Sequence, residues 1–139
     1  MIRAFTLALT VLVVSPTAVH AVRDPVPVQD AGRVQIVHSD TRGATVEDAR
    51  MAISYAAQQK GWVILTDNPG TLTLKYDKQG RHQAVIDVLY DARSYEFKYV
   101  SSFGLGYEDA PEGVKIHPAY NNWLTQLRSQ IAKVVAEQK

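Results

Sequence analysis

Cysteine is absent from the chain. That excludes disulfides, a thiolate nucleophile and thiolate metal ligands, so packing alone must hold the fold. It also excludes an N-terminal lipid anchor, which is built on a cysteine at the cleavage point. A dominant charge of one sign is missing too. Fifteen Lys and Arg stand against 14 Asp and Glu, and no like-charged run extends beyond two or three residues. A neutral domain has no electrostatic footprint for nucleic acid or anionic lipid, and short runs exclude a polybasic arm or an acidic tail. Beyond residue 21 no apolar run is long enough to cross a bilayer. Repeats with a period of 20 to 50 residues are absent as well, which excludes solenoids and propellers.

What is present begins with a secretory signal over residues 1–21. Arg3 forms a positive start, Ala4 to Val14 is apolar, Ser15-Pro16-Thr17 breaks it, and Val19-His20-Ala21 suits a signal peptidase. Residues 22–32 (VRDPVPVQDAG) are broken by proline and read as an extended, mobile leader. Residues 33–139 form one small domain.

Within that domain Arg33 to His38 alternates as a short edge strand, with Val34, Ile36 and His38 on one side. Thr45 and Asp48 make a capping box for a helix whose stripe is Val46, Ala49, Ile53 and Ala56, with Ala52 and Ala57 beside them and Gly61 closing it. Four strands follow as a meander: 62–67, 71–77, 81–90 and 94–101. Asn68-Pro69-Gly70 makes the first turn and Lys78-Gln79-Gly80 the second. Pairing Tyr90 with Tyr95 sets Val88 against Phe97, Ile86 against Tyr99, and Asp87 against Lys98 as an ion pair on the other face. Thr71, Thr73, Lys75, Gln83, Asp87, Glu96 and Lys98 then face water. Residues 102–117 read as a long Gly-rich, acidic connection.

Pro118 starts a last helix striped by Tyr120, Trp123, Leu124, Leu127, Ile131, Val134 and Val135, with Arg128, Lys133 and Lys139 toward its C-terminal end. The sum is α+β: a two-layer sandwich in which a four- or five-stranded antiparallel meander carries an N-terminal and a C-terminal helix on one face.

The segments Tyr90-Asp91, Tyr95, Tyr99, Ser102, Leu105, Tyr107 and Ile116-His117-Pro118-Ala119-Tyr120-Asn121-Asn122-Trp123-Leu124, with Gly61-Trp62 upstream, resemble a family of small exported proteobacterial proteins of unknown function. Many members are lipoproteins; this chain departs from them in lacking the lipidated cysteine. The resemblance implies a periplasmic site in a Gram-negative cell and carries no activity with it.

His117 to Trp123 is the densest polar and aromatic cluster, at a helix N-terminus where free N–H groups can hold an anion. His117 and Asn121, with Ser102 nearby, are the candidate ligand-binding residues. Tyr107, in the Gly-rich loop with little core to enter, is a candidate contact residue. The same residues have structural work open to them: His117 as a cap, Asn121 tying down the loop, Tyr120 and Trp123 as core. The alternating Tyr95, Phe97 and Tyr99 read as core.

No catalytic residue, metal site or cofactor is expected. His38, His82 and His117 are scattered, and Glu108, Asp109 and Glu112 lack calcium-loop spacing. There is no G-x-S-x-G, and the sequence shows no carboxylate held in an apolar pocket. The reading is a non-enzymatic binding or accessory module that meets a protein or envelope component through its loop and edge strands. The alternative is a small-ligand binder or hydrolase at the loop–helix junction around His117. A closed apolar cavity reaching His117 would favour that alternative.

Overall fold

The computed structural model describes residues 23–38 and 44–138. The signal-peptide reading of residues 1–21 lies outside them.

Thr45 caps helix α1 (Val46–Gln59). Its hydroxyl accepts from the Asp48 N–H at 3.1 Å, and the Asp48 carboxylate accepts from the Thr45 N–H at 2.9 Å. Two donors that the helix leaves orphaned are thus satisfied reciprocally. The helix ends at Gly61, with φ at +82°, where Trp62 N–H reaches Ala57 O and Gly61 N–H reaches Gln58 O. These are the paired bonds of a Schellman cap. Ala49, Ala52, Ile53, Ala56 and Ala57 are buried as the stripe predicts, but Val46 is 49% exposed. It is the first residue of the helix.

The sheet has five antiparallel strands in the order β2-β6-β5-β4-β3. They are β2 (Val34–Gln35), β3 (Val63–Asn68), β4 (Thr71–Lys78), β5 (His82–Tyr90) and β6 (Ser94–Phe103). Register follows the sequence expectation: Tyr90 faces Tyr95, Val88 faces Phe97, and Ile86 faces Tyr99. Leu72, Leu74, Ala84, Ile86, Val88, Tyr95 and Phe97 turn one face inward against both helices. Helix α2 (Pro118–Glu137) closes that layer with all seven stripe residues buried.

Several details differ from expectation. Asp87 does lie opposite Lys98, yet the Lys98 ammonium pairs with Glu96 at 2.6 Å while Asp87 accepts from Thr73 Oγ1 at 2.6 Å. Same-strand and neighbouring partners were simply nearer. The hairpin loop is Gln79 to Arg81 rather than Lys78 to Gly80, with positive φ at both Gln79 and Gly80. Arg128 is not near the end of α2 but at its middle. A bulge in β6 puts Val85 against Ser101 and Ile86 against Tyr99, leaving Val100 extra.

The largest correction concerns the connection at 102–117. It contains a hairpin, β7 (Glu108–Ala110) with β8 (Gly113–Ile116), and β8 also pairs with β1 (Val26–Pro27) in the leader. The leader is therefore extended because it is a strand. Its Val28 N–H continues the ladder to Val114 O at 3.0 Å. This second sheet, in the order β1-β8-β7, lies over the start of α2 and hands the chain across to β2. Arg33 fastens that crossing by bonding Ser94 Oγ, Asp91 and Glu96 at the β5–β6 turn.

Candidate functional site

His117 is the N-cap of α2. Its Nδ1 accepts from Ala119 N–H at 3.0 Å, and its own N–H donates to Leu105 O at 2.8 Å. The ring stacks on His82, with centroids 5.4 Å apart. Burial, then the neighbouring His82 and Arg23, push its pKa below the ordinary histidine value. Neutral imidazole is what an acceptor at a cap requires.

Asn121, 6% exposed, points the other way. Its Nδ2 donates to Pro27 O at 2.9 Å and its Oδ1 accepts from Gln29 N–H at 2.9 Å. A side-chain amide here takes the place of a strand partner and holds the leader against α2. It ties down the leader rather than the 102–117 connection.

Ser102 and Tyr107 meet around Tyr99. The Tyr99 and Ser102 hydroxyls lie 2.8 Å apart, and Tyr107 stacks on Tyr99 at 4.2 Å with the rings 6° from parallel. Tyr120 meets Tyr99 edge-on at 6.0 Å. Strict alternation puts residues three apart on opposite faces; the bulge at Val100 absorbs one residue and brings Tyr99 and Ser102 to the same face. Burial raises the Tyr120 hydroxyl strongly and pushes Tyr95 up to about 12, while burial, then Asp109 and Tyr99, raise Tyr107 more modestly.

The structure thus splits the four sequence candidates into two groups. His117 and Asn121 share the first turn of α2 but serve different neighbours, and Ser102 and Tyr107 share Tyr99. Beside Tyr107 lies a cavity of about 140 Å³, walled by Val28, Gln29, Tyr99, Tyr120 and Arg128 among others. Its lining does not include His117, Asn121 or Ser102. A cavity that small falls below the roughly 300–1,000 Å³ of ordinary ligand pockets.

Sequence reasoning missed Gln29, because the leader carries no periodicity. It also missed Arg128, whose position within the helix could be judged only once the helix ends were known. Among the described residues no cluster of three or more His, Asp or Glu is placed to hold a metal ion. No helix of the described residues is long and apolar enough to span a membrane.

Comparison with family models, with curated proteins and with solved structures returned no match.

Proposed function

We propose that this chain is an exported periplasmic protein that acts without catalysis, as a binding or accessory module for a protein or envelope component. The observation that carries the reading is the incomplete edge of the main sheet. Strand β6 has ten residues, but β2 pairs with only Tyr95 and Ser94. Beyond them the outer edge of β6 has no strand partner among the described residues, and open strand edges are templates for a further strand.

Exposed apolar side chains accompany this edge: Val100 at 47% and Phe103 at 63% on β6 itself, Val37 at 79% just after β2, and Tyr107 at 38% stacked on Tyr99. Surface of this kind beside an open edge suits a macromolecular contact. The polar groups that would serve a small ligand, on His117 and Asn121, are instead engaged within the chain. The signal-like residues 1–21 and the resemblance to exported proteobacterial proteins support the location.

Photo-crosslinking in intact cells tests the reading. A reactive residue at Tyr107 or Val37 is expected to capture a discrete partner, and one at Lys75, on the opposite face of the sheet, is not. Equal capture from all three positions, or none from the first two, would remove the edge as a contact surface. N-terminal sequencing of the periplasmic fraction is expected to begin at Val22.

A further inference from the structure

A groove of about 450 Å³ runs between β2 and α2. Val34, Ile36 and Val37 form one wall, and Ile131, Val135 and Ala136 the other. It lies within the size range of true binding clefts and is apolar along both walls. Arg128 is the first helix residue to line it, and so stands at one end.

Arg128 is half-buried, with its guanidinium 5.8 Å from the centre of the Phe97 ring. Its hydrogen bond is to Thr125 Oγ1 at 3.3 Å, and no carboxylate of the described residues pairs with it. A guanidinium offers a planar fork of donors that matches a carboxylate. By contrast Arg33 and Arg50 each hold two carboxylates.

The wall formed by β2 adds a third feature. Ile36 N–H donates to Arg93 O at 2.7 Å, so Ile36 turns its backbone toward β6. In an antiparallel ladder the intervening residues turn away. Gln35 and Val37 therefore direct their N–H and C=O groups outward, and no strand of the described residues lies beyond them.

We propose that this groove takes the free C-terminal tail of a protein partner. The tail lies extended along Gln35 and Val37 as an added strand, sets alternate apolar side chains between β2 and α2, and places its terminal carboxylate on Arg128. A fatty acid would use the apolar walls and Arg128 but leave the outward groups of β2 unmatched; an apolar peptide tail matches all three. The proposal rests on the reading of the chain as a protein-binding module and names the part of the partner that is read.

The test is fluorescence anisotropy on the full exported chain, with a labelled peptide ending Val-Leu-Val as its free acid and as its C-terminal amide, and with a labelled dodecanoate as a third probe. The free acid is expected to bind and the amide to bind about tenfold more weakly or worse, as loss of a charge-assisted contact implies. Arg128→Gln should bring the acid down to the affinity of the amide without abolishing either, a result that unfolding would not give. Arg128→Lys should restore part of the preference. Ala132→Trp, at an exposed groove position, should block both peptides while leaving the thermal transition in place.

Equal affinity for acid and amide, an acid preference that survives Arg128→Gln, or no peptide binding at all would overturn the proposal. Dodecanoate binding that depends on Arg128, with both peptides silent, would overturn it in favour of a lipid acid. Silent peptides with crosslinks from Tyr107 intact would remove the tail assignment and leave the module reading standing.

Discussion

His117 works as a hydrogen-bond acceptor, and that fixes how the protein responds to acid. Protonation would turn Nδ1 into a donor facing the Ala119 N–H and place a charge beside His82 in a partly buried site. The folded pKa is lowered, by burial first. The unfolded chain therefore binds the proton more readily, so stability rises with pH across this titration. The contribution is present above the unfolded value of about 6.5 and is lost as pH falls through the lower folded value. Urea midpoints should fall between neutral and mildly acid buffer, and His117→Asn, which keeps a capping acceptor without titrating there, should flatten that slope. His117→Ala should cost about 0.5–2 kcal/mol at neutral pH, the usual loss for a removed N-cap. Asp91 behaves in the opposite setting. It accepts from Arg93 N–H, Arg33 and Ser94, which hold its carboxyl at about 2. Its contribution is present above the ordinary Asp value and disappears only as pH falls through about 2. A carbon-detected NMR titration should find it ionised after ordinary carboxylates have protonated. The sequence made it legible that polar groups at the helix start must be paired. It could not say with what, because the partner of Asn121 lies 92 residues away in a segment without pattern.

Long periodic elements were readable because their apolar spacing is redundant. Seven residues of the α2 stripe agree on one face, and the alternation of Ala84, Ile86, Val88 and Tyr90 on β5 with Tyr95, Phe97 and Tyr99 on β6 admits one register. A bulge has no such redundancy. One extra residue, Val100, reverses every side chain after it, and nothing in the local composition marks it. Strands β7 and β8, of three and four residues, are likewise too short for a period to show, so an acidic Gly-rich stretch looked like a loop. Two glycines show what the backbone demands at element ends. Gly104 follows β6 at φ +71°, and a Cβ there would stand 2.0 Å from Arg81 O. Gly80, in the β4–β5 turn, has a similar φ of +70° and open space around it. Gly80→Ala should cost only the left-handed strain of about 1–2 kcal/mol. Gly104→Ala adds a backbone clash that no rotamer can relieve, so its loss should exceed that of Gly80→Ala and displace the end of β6. Paired urea denaturation curves read the difference; equal losses would mean that the Gly104 turn shifts freely.

Two sheets of unequal security share one helix layer. The five-stranded sheet rests on a continuous buried face, whereas the three-stranded one is held by short ladders and a few side-chain bonds. Local opening should therefore begin in the smaller sheet, since protection follows buried contact and ladder length. Asn121 is the point to test, because its buried side chain holds the leader to α2 through two part-buried bonds, to Pro27 and Gln29. Asn121→Ala leaves the Gln29 N–H and the Pro27 carbonyl without their partner, and since both residues reach water the loss should be about 0.5–1.5 kcal/mol per bond. Native-state hydrogen exchange should then speed up at Val28 and Gln29 and across β8, while amides of β4 and β5 keep their protection. Asn121→Asp retains the acceptor for Gln29 and loses the donor to Pro27, so it should fall between the wild type and the alanine variant. Uniform acceleration through β4 and β5 would instead mean that both sheets open together. The crossing at residues 28–33 would then be part of one cooperative unit, and the edge beside it would owe its shape to the whole core rather than to a single amide.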